Sequence, residues 1–126
     1  MAIAPHTNAP TRRANVARVN QRTDLGPILS GLVPFANTTY SLCGERVGAI
    51  RPVIAHSSLS RQHRAAFHVD DAVSGIDYIV WSYGTPIAWH HAGGWAMPDA
   101  RYSRTTSCHQ GQVRRGLRCL FGKVSA

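Results

Sequence analysis

The chain has 126 residues, of which 14 are Lys or Arg and 6 are Asp or Glu, giving a formal net charge of +8 at neutral pH. Its length is typical of one domain, and its 44% apolar residues suffice for a modest core. We expect neither a membrane-spanning segment nor a secretory leader, because no apolar run has the length or flanks of either. Cys43, Cys108 and Cys119 cannot all pair within one chain, so reduced thiols in a cytoplasm are expected.

The first 23 residues predict a flexible basic tail, followed by a single compact domain over 24–126. The tail has four arginines and no acid, and its apolar residues keep no period. Such a tail is either plain disorder or an electrostatic arm for a polyanion, to which Arg12 and Arg13 would contribute.

The middle of the chain predicts only short elements. Glycine and proline punctuate residues 24–35, which we expect to wrap the core in extended pieces. Short edge strands are predicted within 37–42 and 46–55. A serine can cap a helix of at most two turns over 61–67, and residues 70–75 are predicted to form a loop.

An antiparallel meander is predicted next. Ile76 to Tyr83 has the β-branched and aromatic density of a strand, and Thr85 to His90 continues as a second strand with Pro86 near its start. Gly93 and Gly94 suit a turn, after which Trp95 to Met97 returns as a third strand.

The last predicted element is a C-terminal helix. Thr106 or Ser107 is expected to cap it, with Gln110 completing a capping box. Apolar side chains then recur at spacings of three and four, forming one stripe that can dock on a sheet: Val113, Leu117, Leu120 and Phe121. The fold class is therefore α+β, a small antiparallel β-meander with the C-terminal helix packed on it and the basic tail at the N-terminus.

Basic residues concentrate in the last quarter of the chain. On a helix these arginines project beside the apolar stripe, and the amides of a helix N-terminus also attract anions. The pattern is typical of a phosphate-binding surface and also of an ordinary solvated helix face. The candidate nucleic-acid-binding residues are Arg101, Arg104, Arg114, Arg115, Arg118 and Lys123, with Arg12 and Arg13 of the tail.

Other chemistry has weaker support in the sequence. Trp81, Trp89 and Trp95 are candidates for stacking on bases or for filling the core. No CxxC, HxxxH or HExxH spacing occurs, so neither a metal nor a cofactor is predicted. Cys108 beside His109 at a helix N-terminus has the electrostatics of an activated thiol, but neighbours on a helix point apart, so a non-enzymatic protein is favoured.

Two motifs resemble those of a family of small bacteriophage proteins, notably from actinobacteriophages, known as a domain of unknown function. The first runs from Tyr83 through Gly84, Thr85 and Pro86 to Ala88 and is followed by Gly94-Trp95. The second reads Tyr102-Ser103-Arg104-Thr105-Thr106-Ser107-Cys108-His109-Gln110. Cys108 stands where the family pattern has a basic residue, which lowers the local charge.

The resemblance implies a phage origin and action in the host cytoplasm, and it implies no activity. Most of the shared residue types are explained by turn and capping chemistry, so we expect them to be structural. They are Tyr83, Gly84, Thr85, Pro86, Tyr102, Thr106, Ser107, His109 and Gln110.

The leading hypothesis is a phage accessory protein that binds DNA or RNA mainly through phosphate contacts from the terminal helix and the tail. The alternative is a small modulator or inhibitor that docks on an acidic host protein through arginine and tryptophan anchors.

Overall fold

The computed structural model describes residues 16–49, 51–54, 57–100 and 102–121, with side chains described up to residue 118. Its elements are β1 (Ala17–Arg18), α1 (Gly26–Ser30), β2 (Phe35–Ala36), β3 (Leu42–Arg46), α2 (Arg61–Ser74), β4 (Ile76–Ser82), β5 (Thr85–His91), β6 (Gly94–Ala96) and α3 (Arg104–Phe121). In this part of the chain the six strands form one sheet in sequence order, antiparallel except for the parallel β1–β2 pair. The predicted α+β class is confirmed.

The predicted meander is formed by β4, β5 and β6. Ser82 pairs with Thr85 across a two-residue turn, whose central residues Tyr83 and Gly84 have φ of 51° and 77°. Positive φ at both central residues matches the right-handed twist of the flanking strands. Pro86 pairs with Trp81 next to a register shift, which accommodates its missing amide donor.

Helices cover both faces of the sheet. On one face, α2 packs Phe67 against Trp89 and Ile79, with the two aromatic rings edge to face at 5.0 Å. On the other face, Val113 and Leu117 of α3 join α1 and the inward side chains of the central strands in a second core. The sheet is therefore the middle of three layers, and α2 and α3 lie on opposite sides of it.

Helix α2 is twice as long as predicted, and the predicted loop over 70–75 is wrong. Ser60 caps the helix by accepting from the His63 amide at 3.3 Å, and the helix ends at Gly75, whose φ is 76°. The two aspartates that suggested a loop have partners outside the helix. Asp70 accepts from the Trp89 indole at 2.8 Å, and Asp71 accepts from the amide of Ile76 at 3.0 Å.

The N-terminal part of the fold begins earlier than predicted. Ala17 and Arg18 pair with β2, and Val19 is buried in the α3-side core. Residues 16–23 thus pack within the domain, in contrast to the predicted tail over 1–23. Residues 1–15 of that tail lie outside the described residues.

Helix α3 starts one turn before the predicted caps. Ser103 is the capping residue, since its hydroxyl accepts from the Thr106 amide at 3.2 Å. Thr106 and Ser107 are inside the first turns, and Gln110 donates to the Ala100 carbonyl at 3.1 Å instead of closing a capping box. Gly116 lies inside the helix at its contact with α1. A Cβ at this position would lie 3.1 Å from Leu25 and Gly26, so glycine permits the close approach of α1.

Candidate functional site

A groove of about 830 Å³ lies beside the first three turns of α3. Its other walls are the β1–α1 loop, with Asn20 and Gln21, and the β2–β3 loop over residues 37–41. The lining is mainly amides and hydroxyls with two arginines, Arg104 and Arg115, and it includes no carboxylate. Such a surface offers many hydrogen-bond donors and a net positive charge, which suits an anionic ligand.

The β2–β3 loop is shaped by the side chain of Asn37. Its carbonyl oxygen accepts from the Leu42 amide at 3.2 Å, and its amide nitrogen donates to Ser41 Oγ at 3.0 Å. The main-chain carbonyl of Asn37 accepts from the Tyr40 amide at 3.1 Å, and Tyr40 has a φ of 61°. Asparagine favours such local bonds in turns, so this groove wall has a defined conformation.

The β1–α1 loop is attached to α3 through Gln112. This buried amide donates from Nε2 to the carbonyls of Asn20 and Thr23, both at 2.9 Å. Sequence reasoning did not single out Gln112. The available signal was its helical spacing from His109 and Gly116, which places a polar amide on the inward side of the helix.

Four of the predicted basic residues lie on one exposed face of α3, which we call the arginine face: Arg104, Arg114, Arg115 and Arg118. At 3.6 residues per turn they fall within an arc of about 100°. Helix α3 contains no acidic residue. The other predicted basic residues lie outside the described side chains: Arg12, Arg13, Arg101 and Lys123.

Residues of the second motif contact Ser82 where β4 ends and α3 begins. We call Ser82, Thr106 and His109 the motif cluster. Ser82 Oγ lies 3.1 Å from Thr106 Oγ1 and 2.7 Å from His109 Nδ1, and all three residues are buried. Burial lowers the pKa of His109 below its ordinary value, because the charged imidazolium loses solvation. A neutral imidazole at this place connects the sheet to the groove, since His109 also lines the groove.

A second hollow of about 410 Å³ lies on the other side of the α3 N-terminus. Every residue that lines it has a hydroxyl group, including Tyr83, Thr85, Tyr102 and Thr106. Thr85 Oγ1 accepts from the Ser58 amide at 3.0 Å. Burial raises the pKa of Tyr102. The structural roles expected for Thr85 and Thr106 stay a prediction.

The tryptophans divide between core and partial exposure. Trp89 is 1% exposed, so it fills the core. Trp81 and Trp95 are half-buried; the Trp81 indole donates to Glu45 at 3.0 Å, and the Trp95 ring packs against Tyr78 and His90. The exposed aromatic side chains in the described part of the chain are Tyr40 and Tyr83.

In the described residues neither Cys43 nor Cys108 forms a thiol–histidine pair of the kind that activates a nucleophile. Cys108 is exposed and lines the groove, but the His109 ring bonds Ser82, and no hydrogen bond joins it to Cys108. Burial, with a smaller contribution from the Glu45 carboxylate, raises the pKa of Cys43 to about 11. That thiol is protonated at neutral pH and is a poor nucleophile.

No group of three or more metal-binding side chains occurs within the described ranges. Histidines and aspartates here form pairs: His90 Nδ1 lies 2.7 Å from Asp77 Oδ1, and His91 Nε2 lies 3.7 Å from Asp70 Oδ2. None of the described helices is long and apolar enough to cross a membrane.

Comparison with known proteins places this architecture in a family. Residues 35–118 match a family described as of unknown function (DUF8033). No curated protein and no solved structure matches the chain. The matched region runs from the start of β2 into the last turn of α3, so it includes the motif cluster and most of the groove wall. The chain therefore belongs to the DUF8033 family.

Proposed function

We propose that this protein binds nucleic acid through phosphate contacts made by the arginine face of α3. The observation that supports the proposal is the concentration of four exposed arginines within one arc of an acid-free helix, beside an acid-free groove. Guanidinium groups match phosphate geometry and remain charged at all physiological pH values.

The length of the arginine face suits several phosphates. Arg104 and Arg118 are separated by about 21 Å at 1.5 Å per residue. That distance corresponds to about six base pairs of duplex at 3.4 Å per base pair. The amides and hydroxyls of the groove, such as Asn20 and Ser107, add neutral donors of the kind that fix the register of a backbone.

The test is a fluorescence-anisotropy titration with labelled random-sequence oligonucleotides at several salt concentrations. If four phosphates are neutralised, the slope of log K against log salt is about −3.6 on duplex. Affinity then falls by about 100-fold between 50 and 200 mM salt. Binding that does not change with salt, or no binding at low salt, would overturn the proposal.

Arg114→Glu and Arg61→Glu form a matched pair, because both remove an exposed arginine from a helix and change the net charge equally. Arg114 lies on the arginine face, whereas Arg61 is on α2 across the sheet. We expect Arg114→Glu to reduce the salt slope by about one and Arg61→Glu to leave it unchanged. Equal effects would mean that only the overall charge matters.

The motif resemblance to bacteriophage proteins supports the host cytoplasm as the place of action. An arginine-rich face also fits an acidic host protein, which is the alternative outcome of the same work. A stoichiometric protein captured from nuclease-treated host lysate by the wild type, but not by Arg114→Glu, would support that alternative.

A further inference from the structure

Two tyrosines at one end of the sheet are exposed in backbone conformations that tyrosine rarely adopts. Tyr83 is 60% exposed with a φ of 51°, and Tyr40 is 39% exposed with a φ of 61°. Glycine or asparagine would occupy either position with less strain. Each ring is also partly exposed and outside the two core clusters, so neither local backbone preference nor core packing explains a tyrosine here.

The two turns that carry these tyrosines are hydrogen-bonded to each other. The Tyr83 amide donates to the Ser41 carbonyl at 2.8 Å, next to the pair formed by Leu42 and Ser82. The β2–β3 loop and the β4–β5 turn therefore present their aromatic rings from adjacent strand ends.

Each ring is supported by a partner that limits its orientation. Tyr83 stacks on His109 with 5.8 Å between ring centroids and 24° between the planes. His109 is in turn held by Ser82 at 2.7 Å. The guanidinium of Arg18 lies over the Tyr40 ring at 5.3 Å. A guanidinium in a cation–π contact with a ring still has N–H donors with which it can bind a phosphate.

Both rings lie next to residues that line the groove. Thr39 and Ser41, on either side of Tyr40, line it, and so does His109, on which Tyr83 stacks. Tyr83 itself lines the second hollow. Arg104 and Arg115 of α3 also line the groove. A basic, hydroxyl-lined channel with aromatic rings beside it is an arrangement with which proteins hold unpaired nucleotides, whose phosphates follow the channel while the bases stack on the rings.

We propose that the groove selects single-stranded over duplex nucleic acid, with bases stacking on Tyr40 and Tyr83 and phosphates contacting Arg18, Arg104 and Arg115. This inference rests on the proposed function and names its substrate class. In a duplex the base faces are already stacked, so the tyrosines would have nothing to contact.

The experiment compares a single strand of about 12 nucleotides, within the site sizes of single-strand-binding folds, with the duplex of the same sequence. Tyr83→Asn and Tyr40→Asn remove the rings while keeping a residue that tolerates positive φ, and Tyr83→Phe and Tyr40→Phe keep the rings as matched controls. We expect each Asn variant to weaken single-strand binding by about 5-fold or more and to leave duplex binding unchanged, with wild-type affinity in the Phe variants.

A 2-aminopurine base in the strand gives a direct measure of stacking, since its fluorescence is quenched on an aromatic ring. Quenching by the wild type and the Phe variants, but not by the Asn variants, is expected. Equal binding of both nucleic acids, unaffected by the Asn changes, would overturn the single-strand inference and leave the proposed function standing. Absence of binding to either would overturn the proposed function itself. An unchanged urea midpoint in each variant excludes loss of the fold.

Discussion

Helices α2 and α3 pack on opposite faces of one sheet, yet their charged side chains differ in sign and in partners. The acids of α2 have partners elsewhere in the domain: Asp71 pairs with Arg51, and Asp70 accepts from the Trp89 indole. Helix α3 has arginines on its exposed face and contains no acidic residue. Paired charges contribute to the fold, whereas a field of one sign is available to a charged partner. The comparison favours a chiefly structural role for α2 and makes α3 the surface for the proposed binding.

Phe67→Ala is expected to have the largest effect on the free energy of unfolding, and it tests whether α2 is separate from the binding surface. Phe67 is buried between α2 and the sheet against Trp89, so its truncation removes a central contact of that layer. We expect a loss of about 3–5 kcal/mol in the free energy of unfolding, measured by urea denaturation. At temperatures where the variant remains folded, its salt slope for nucleic acid should equal that of the wild type. A change in that slope would show that α2 influences the binding surface.

Gln112→Ala should have a smaller effect that reaches the groove. The change leaves the carbonyls of Asn20 and Thr23 without their donor, at a cost of about 1–3 kcal/mol. We expect weaker nucleic-acid binding as well, because the β1–α1 loop forms a groove wall. Gln62→Ala, at an exposed site on α2, is the matched control and should change stability by less than about 0.5 kcal/mol. Lost stability with wild-type affinity would separate the loop from binding.

The smallest expected effect is on the pH dependence of the free energy of unfolding, which should differ between His109 of α3 and Asp71 of α2. Burial holds the pKa of His109 below its ordinary 6.5, so the unfolded chain takes up a proton first as the pH falls below 6.5. Stability should therefore decrease between 6.5 and the lower folded-state pKa, and His109→Gln should remove that decrease. Urea midpoints measured across this range would contradict the assignment if the variant and the wild type had parallel profiles.

Asp71 provides the contrast at lower pH. Burial alone would raise its pKa, but the Ile76 amide and the Arg51 guanidinium outweigh burial and lower the pKa from the ordinary 3.8. Its contribution to stability is present above 3.8 and is lost as the pH falls below that value. Asp71→Asn should therefore flatten the profile below 3.8 and leave the His109 region unchanged.

The fold was predictable where hydrophobic pattern and turn residues agree. The β4–β5 hairpin has dense β-branched and aromatic residues around a glycine turn, and α3 has buried positions at helical spacing. Helix α2 was underestimated because Asp70 and Asp71 favour loops locally, and their partners Trp89 and Arg51 are distant in sequence. β1 was missed because two residues of pairing leave no periodic signal.

The positive charge of the candidate site was predictable from the sequence, whereas the shape of the groove was not. A run of arginines on a helix predicts an exposed basic face from periodicity alone. The groove depends on Gln112 and Asn37 holding two loops, which only tertiary contacts reveal. The positions of Tyr40 and Tyr83 depend on backbone conformations that a sequence does not show for a non-glycine residue. Ser103 was overlooked as the cap because three further hydroxyl residues, Thr105, Thr106 and Ser107, follow it closely.

The described sheet ends in short strands, with two residues in β1 and three in β6, while the seven-residue strands β4 and β5 lie inside. Edge strands with unpaired backbone groups are templates for pairing with other chains, and short ones offer few such groups. This arrangement leaves few unpaired backbone groups at either described edge. Copies brought together on one polyanion, as the proposed function implies, would therefore have little strand edge through which to pair.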